Sequence, residues 1–204
     1  MRNRNKNPKK VFLDVGGLDG GITFEFIKGH KDNYKDFDYY IIECAPKAIE
    51  KLKKKIETSK SDVCFNIIEK AAWIYDGEID FYVGRMCRST LMKEYHKGGR
   101  DNIDKEHPVK VPCFNFGQWI KNTFNNREVY VHMNIEGAEY DILDNMIKDK
   151  TIFLIKEMLF AKHTRQVRQK SREKEKMILK YLRKKKLDNI YINSDENKKR
   201  FLGL

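Results

Sequence analysis

The chain has 204 residues, of which 40% are hydrophobic and 12% aromatic, and this length and composition are typical of one globular domain with its own core. No apolar run approaches the roughly 20 residues that cross a bilayer. The four cysteines lack the paired spacing of a zinc site or a disulfide framework. The formal net charge of +12 suits an anionic partner, but lysines spread along the whole chain also produce it, so only local clusters of charge are informative.

The first ten residues form a basic arm without the apolar stretch of a signal peptide, so we expect a single cytoplasmic domain over residues 1–204. After this arm, short apolar runs rich in β-branched and aromatic residues alternate with longer stretches of helical periodicity. The apolar runs predict strands at 11–15, 39–43, 63–68, 78–83, 109–114, 128–134, 151–158 and 189–193, with a last short strand in 200–204. The helical stretches fall at about 21–31, 46–58, 115–124, 137–149 and 166–186. This alternation predicts an α/β fold with a mostly parallel sheet covered on both faces.

One segment breaks this rhythm. Residues 84–108 are polar, contain Gly98 and Gly99, and carry His96 and His107. A long irregular segment within a compact domain is usually a lid, a binding loop or disordered. We therefore expect a mobile loop over the active site.

The first predicted strand ends at an acid and is followed by a glycine-rich turn. Asp14 lies near the strand end, and the turn contains Gly16, Gly17, Gly20 and Gly21. Ligands of open parallel sheets bind beyond the carboxyl ends of the strands, where they contact the backbone N–H groups of a helix N-terminus. The nicotinamide fingerprint requires a glycine two residues after Gly16, where this chain has Leu18, so the turn favours a different ligand.

A second acid, Glu43, ends the next predicted strand. A carboxylate at this position can accept hydrogen bonds from both ribose hydroxyls of an adenosine. The acid at the end of the first strand, Asp14, suits a ligand with an ammonium group. A ribose and a positively charged amino-acid moiety occur together in S-adenosylmethionine, which we predict as the cofactor.

Four stretches together resemble the FkbM-like family of S-adenosylmethionine-dependent O-methyltransferases: FLDVGGLDGG, YYIIECAP, AAWIYDGEIDFYVG and, most specifically, VHMNIEGAEYDIL. The resemblance spans roughly residues 11–160. It implies a Rossmann-like three-layer αβα sandwich with a mostly parallel, seven-stranded sheet that contains one antiparallel strand. It also implies methylation of a hydroxyl, often on a sugar. The cofactor contacts that it implies come from Asp14, Gly16, Gly17, Asp19, Gly20, Glu43, Cys44, Ala71 and Ala72.

The reaction centre is expected in the VHMNIEG stretch. The alternation of an extended strand places His132, Asn134 and Glu136 on one side. Methyl transfer requires alignment of acceptor, methyl and sulfur, and a general base accelerates it further. Glu136 and His132 are candidate bases, and Asn134 would orient the acceptor or the methionine end of the cofactor. The family usually has lysine and aspartate where this chain has His132 and Asn134, and because the amide replaces an acid we expect no metal requirement.

Other charged residues flank this stretch. Glu139 and Asp141 lie in the first turn of the next predicted helix, where acids interact favourably with the helix dipole, and we expect them to be structural. Lys156 and Glu157 interrupt the following apolar run and point to opposite sides of it. Because at least one of them could reach the cleft, Glu157 is a further catalytic candidate.

The region from Lys162 to Lys186 has twelve lysines and arginines against two glutamates, and its outward face is either solvated or a phosphate-binding patch. We expect an O-methyltransferase that acts on a glycan or another small hydroxylated acceptor. One alternative is a nucleic-acid 2′-O-methyltransferase, which the charge and the residues Lys156 and Glu157 favour. The other is a cofactor-binding module without catalysis. The acceptor, the hydroxyl that is methylated and the oligomeric state stay open at this point.

Overall fold

The structure is a computed structural model that describes residues 10–84, 89–93, 103–163 and 169–204. The predicted basic arm, apart from Lys10, and much of the predicted loop 84–108 lie outside these residues. Within them, no helix combines the length and the apolar character that a membrane crossing requires.

The described strands form two sheets. Their bounds are β1 Lys10–Val15, β2 Phe37–Ile42, β3 Phe65–Ile68, β4 Ala71–Trp73, β5 Gly77–Phe81, β6 Val109–Asn115, β7 Val129–Met133, β8 Ile155–Phe160 and β9 Ile190–Ile192. The larger sheet has the order β3-β2-β1-β7-β8-β9, and all of its pairings are parallel. The smaller sheet has the order β4-β6-β5.

Helices connect these strands and cover the larger sheet. They are α1 Gly21–Gly29, α2 Pro46–Thr58, α3 Phe116–Thr123, α4 Glu139–Lys148, α5 Gln169–Lys184 and α6 Asp195–Leu202, with short 3₁₀ turns at Tyr34–Asp36 and Thr151–Leu154. Successive residues of β1 join different core clusters: Val11 and Leu13 pack with α3, α4 and α5, whereas Phe12 packs with α1 and α6. This alternation places an apolar core on each face of the sheet.

The predicted α/β class and the mostly parallel sheet are confirmed, and the arrangement is compatible with a Rossmann-like fold. The predicted seven-stranded sheet with one antiparallel strand is not found: six strands are described, and all are parallel. The antiparallel pairing lies in the smaller sheet, between β5 and β6. Because β6 pairs with β5 on one edge and with β4 on the other, neither of its edges is available to the larger sheet.

Two strand predictions fail for identifiable local reasons. The segment 200–204 was expected to be extended, but α6 covers most of it, because the Ser194 side chain caps the helix start and Gly203 ends it with a φ of 69°. The first part of the predicted strand 151–158 is the 3₁₀ turn Thr151–Leu154, which follows the left-handed residue Lys150 with a φ of 60°. Strand β4 was not predicted, because three residues are too few for a periodic signal.

The contact of α6 with α1 gives a first test of this fold. A Cβ atom at Gly29 would lie 1.7 Å from the Leu202 carbonyl oxygen, so Gly29→Ala requires α6 to move away. We expect this substitution to lower the free energy of unfolding by about 3 kcal/mol, measured by urea denaturation. The exposed neighbour Lys28 provides the control, and Lys28→Ala should change it by less than about 0.5 kcal/mol. Equal stability of the two variants would contradict the docking of α6 on α1.

Candidate functional site

A cleft opens at the carboxyl ends of β1, β2 and β7, where the strand order of the larger sheet reverses. It encloses about 790 Å³ of empty space, including its open mouth. In open α/β sheets, ligands bind at this reversal point. Of the predicted cofactor and catalytic residues, those that line the cleft are Gly16, Glu43, Cys44, Ala71, Ala72, Asn134 and Glu136.

The glycine-rich turn forms one wall of the cleft. Gly16 has a φ of 76°, and a Cβ atom there would lie 2.2 Å from the Asn134 carbonyl oxygen. At Gly17, a Cβ atom would lie 2.3 Å from Cγ2 of Ile41. Gly20 has a φ of 75° and caps the start of α1. The absent side chains therefore allow close packing within the protein, and of these three glycines only Gly16 lines the cleft.

Asp14 lies beneath this turn rather than in the cleft. Its carboxylate is fully buried, and it accepts a hydrogen bond from the Thr23 hydroxyl at 2.7 Å. Its other oxygen lies 2.8 Å from Nδ1 of His132, the residue paired with Asp14 across the β1–β7 register. Asp14, which was predicted to contact the ammonium group, is therefore bonded to His132, which was a candidate base. Neither residue lines the cleft.

Asp19 also lies outside the cleft. It accepts hydrogen bonds from the Gly21 backbone N–H at 3.0 Å and from the Lys55 ammonium group at 2.9 Å. The hydrogen bond from Lys55 lowers the pKa of Asp19. Asp19 lines an adjacent groove of about 1200 Å³ that continues from the cleft along the start of α2.

Glu43 lines the cleft, but most of its hydrogen-bonding capacity is already used. One carboxylate oxygen accepts the backbone N–H groups of Cys44 and Ala45, both at 2.8 Å, and the other accepts that of Leu18 at 3.0 Å. Burial raises the pKa of Glu43, and these three bonds oppose the rise. Because an ionised carboxylate has about four acceptor positions, one remains for a ligand. The expected pair of bonds to both ribose hydroxyls is therefore reduced to one.

An apolar slot continues the cleft beyond Glu43. Ala71 and Ala72 of β4 are buried, and both line it. Phe81 and Leu91 line the same region from the smaller sheet and from the described part of the predicted loop. The Cys44 thiol is the polarisable group here, and burial raises its pKa, which keeps it protonated. The apolar lining of this slot suits a flat, weakly polar ring.

At the opposite end, Asn134, Ile135 and Glu136 line the cleft directly after β7. Glu136 adopts a left-handed backbone with a φ of 51°, which is uncommon for a residue other than glycine. Its carbonyl oxygen accepts the Thr90 hydroxyl at 2.7 Å. Ser89, Thr90 and Leu91 belong to the predicted active-site loop, and this described part of it contributes to the cleft lining.

Glu139 fixes the turn that carries Glu136. It is fully buried, and its carboxylate accepts the backbone N–H groups of Ile135 at 2.8 Å and Gly137 at 2.9 Å. His163, three residues after the end of β8, lies with Nδ1 2.9 Å from the same carboxylate and with Nε2 3.7 Å from Glu136. The expected structural role of Glu139 agrees with these bonds to its own turn.

His163 is the residue that reading the sequence missed. It follows an apolar strand without a motif, so no local pattern marks it. The available signal was topological, because β7 and β8 are parallel neighbours and their carboxyl ends lie at the same edge of the sheet. Residues that follow both strands therefore meet there.

Glu157 is not brought to the cleft. The Tyr191 hydroxyl donates a hydrogen bond to its carboxylate, and Nε of Arg200 lies 3.8 Å away. Tyr191 belongs to β9, on the far side of β8 from β7, and Arg200 belongs to α6, which packs against β8 and α1. Its neighbour Lys156 pairs with Glu128 at 3.1 Å. Among the described residues, no group of three or more His, Cys, Asp or Glu side chains is arranged to hold a metal ion.

A scan against protein-family models found no match, and searches of the curated proteins and of the solved structures found no significant match either. The functional assignment therefore depends on the cleft and on the sequence motifs that form it.

The buried network under the glycine turn gives a second test. Asp14→Ala leaves the Thr23 hydroxyl and His132 without their buried partner, and we expect the free energy of unfolding to fall by about 3–5 kcal/mol. Asp14→Asn keeps the shape and one acceptor oxygen, so its loss should be clearly smaller. Chemical denaturation of both variants measures the difference. Equal losses would show that the two hydrogen bonds contribute little beyond packing.

Proposed function

We propose that the protein is an S-adenosylmethionine-dependent O-methyltransferase of the FkbM-like family, with a Rossmann-like three-layer fold. The observation that carries this proposal is the single cleft at the reversal point of the parallel sheet. It unites Gly16, Glu43, the alanine pair of β4 and the Asn134–Glu136 segment, which are distant in sequence.

The residues of the cleft fit the parts of the cofactor. The apolar slot at Ala71 and Ala72 suits the adenine ring, and Glu43 keeps one acceptor position for a ribose hydroxyl. The methionine portion would extend toward Gly16 and Asn134 at the ends of β1 and β7. The bound cofactor supplies an electrophilic methyl group, and the protein aligns the acceptor with it.

The acceptor is proposed to be a sugar or another small hydroxylated molecule. The groove along α2 is continuous with the cleft, because Leu18, Ala45, Phe81 and Ser89 line both. Its lining combines apolar residues such as Val83 and Val109 with Lys47 and Lys51. A groove of this mixed character suits a compact polar molecule better than a long polyanion.

The decisive experiment is a transfer assay with S-adenosylmethionine labelled in the methyl group. Separate pools of nucleotide sugars, free oligosaccharides and RNA serve as acceptors. Label in a sugar pool supports the proposal, and label in RNA replaces it with the nucleic-acid alternative. Binding of the product S-adenosylhomocysteine without label in any pool would leave a cofactor-binding module.

Glu43 provides a prediction about cofactor affinity. Glu43→Ala removes a charged acceptor from the ribose region, and hydrogen bonds to charged groups contribute about 1.5–3 kcal/mol. We expect the Kd for S-adenosylhomocysteine to rise roughly 10- to 100-fold by calorimetry. Glu50→Ala, an exposed change on α2, is the control and should leave the Kd unchanged. An unchanged Kd in folded Glu43→Ala protein would remove Glu43 from the site.

Cys44 reports on occupation of the same slot. Its thiol lines the cleft, whereas Cys64 is exposed and lies outside the lining. At a ligand concentration of about ten times the Kd, roughly a tenth of the protein is free. Because its raised pKa makes the Cys44 thiol slow to react, iodoacetamide is applied in excess over a long incubation, and alkylation of Cys44 should be about tenfold slower in the presence of S-adenosylhomocysteine. Peptide mass spectrometry measures both sites, and Cys64 should react at the same rate with or without ligand. Equal protection of both cysteines would indicate a global effect rather than binding here.

A further inference from the structure

The cluster formed by Glu136, His163 and Glu139 at the edge of the cleft has a defined arrangement of protons. Glu139 is fully buried and uses both carboxylate oxygens as acceptors, since Ile135 and Gly137 donate to different ones. The carboxylate is therefore a hydrogen-bond acceptor toward His163 as well. Nδ1 of His163, 2.9 Å away, must carry a proton to make that bond.

This bond determines what the other imidazole nitrogen can do. With a proton on Nδ1, neutral His163 has its lone pair on Nε2. Nε2 lies 3.7 Å from an oxygen of Glu136, whose ionised carboxylate also presents lone pairs. Two facing lone pairs repel each other, and a proton held between them turns this repulsion into an ion pair or a hydrogen bond.

We infer that Glu136 and His163 together accept the proton of the acceptor hydroxyl, with Glu139 as the anchor of His163. This inference rests on the proposed methyltransferase function. Glu136 lines the cleft and contacts the acceptor, and His163, 7% exposed, acts through Glu136 as a positioning residue. The acceptor oxygen forms a bond to the transferred methyl group, and the electron pair of the methyl–sulfur bond stays with sulfur. The hydroxyl proton passes to Glu136 and is held between Glu136 and His163.

The arrangement also distinguishes His163 from the other buried histidine near the cleft. His132 is 3% exposed, and its Nδ1 is bonded to Asp14 beneath the glycine turn. It is absent from the cleft lining, whereas Glu136, the residue that faces His163, belongs to it. The imidazole that assists Glu136 is therefore assigned to His163, after β8, rather than to His132 within β7.

The first experiment needs no acceptor. Full-length protein with ¹⁵N-labelled histidine gives imidazole signals, and those lost in His163→Asn belong to His163. We expect Glu136→Gln, which removes the facing charge, to shift the Nε2 signal of His163. The exposed control Glu50→Gln should leave it in place. An Nε2 signal that does not respond to Glu136→Gln would overturn the inference.

The second experiment separates positioning from folding. The Asn side chain of His163→Asn places an N–H group where Nδ1 was, so it keeps the donor to Glu139 and removes the nitrogen that faces Glu136. With labelled cofactor and the pooled nucleotide sugars and oligosaccharides, we expect kcat to fall about 100-fold. The acceptor KM and the Kd for S-adenosylhomocysteine should stay within about twofold. His30→Asn is the matched control, because Nδ1 of His30 also has an oxygen partner, the Phe26 carbonyl, and His30 does not line the cleft.

The outcomes distinguish this inference from the proposed function. Wild-type turnover in His163→Asn would overturn the inference and leave the methyltransferase assignment in place. Normal binding of S-adenosylhomocysteine without turnover in any pool would overturn the inference and support a binding module. Failure of wild-type protein to bind S-adenosylhomocysteine would overturn both. A loss of folding in His163→Asn, with His163→Gln folded and inactive, would still support a requirement for an imidazole.

Discussion

The close approach of β1 and β7 at their carboxyl ends is the constraint on which the cleft depends. The backbone of Gly16 packs so tightly against the Asn134 carbonyl that no side chain fits between them, and the Asn134 N–H donates to the Val15 carbonyl oxygen at 2.9 Å. The two strand ends are thus held as one unit. The glycine turn continues from β1 and the turn with Glu136 continues from β7. The backbone contact between Gly16 and Asn134 therefore fixes the distance between the proposed cofactor and the proposed proton acceptor.

Buried carboxylates hold the segments that surround this junction. Asp14 bonds Thr23 and His132, Glu43 bonds three backbone N–H groups, and Glu139 bonds two. A buried charge is stable only when its acceptor positions are filled, so each of these acids fixes the groups around it. The acids at the strand ends therefore organise the turns around them. As a consequence, few of their hydrogen-bond acceptor positions remain for a ligand. Glu43 retains one such position, whereas Asp14 is enclosed by protein.

The sequence predicted the elements of the larger sheet well because its signals are local. The six apolar runs that became β1, β2, β3, β7, β8 and β9 were all recognised, and α2 was predicted with its observed bounds Pro46–Thr58. The separation of β4, β5 and β6 into a second sheet was not predictable, because it depends on which strand edges pair. At the candidate site, motifs located Gly16, Glu43 and Glu136 in one cleft. Asp14, His132 and Glu157 do not line this cleft, and a residue's position along a strand does not say which neighbouring side chain will bond to it.

Glu136 and Glu139 illustrate how one short turn can divide two roles between similar side chains. Glu139 is buried and bonded to the turn itself, as a structural residue should be. Glu136 is held in a left-handed conformation that costs about 1–2 kcal/mol for a residue other than glycine. Such strain persists where the surrounding structure enforces it, and it is commonly found at functional sites. Here the Thr90 hydroxyl binds the Glu136 carbonyl and His163 faces its carboxylate, so contacts from two other segments hold the strained residue at the cleft. A glycine would relieve the strain and remove the carboxylate, which is why a glutamate in this conformation is better explained by chemistry at the cleft than by folding alone.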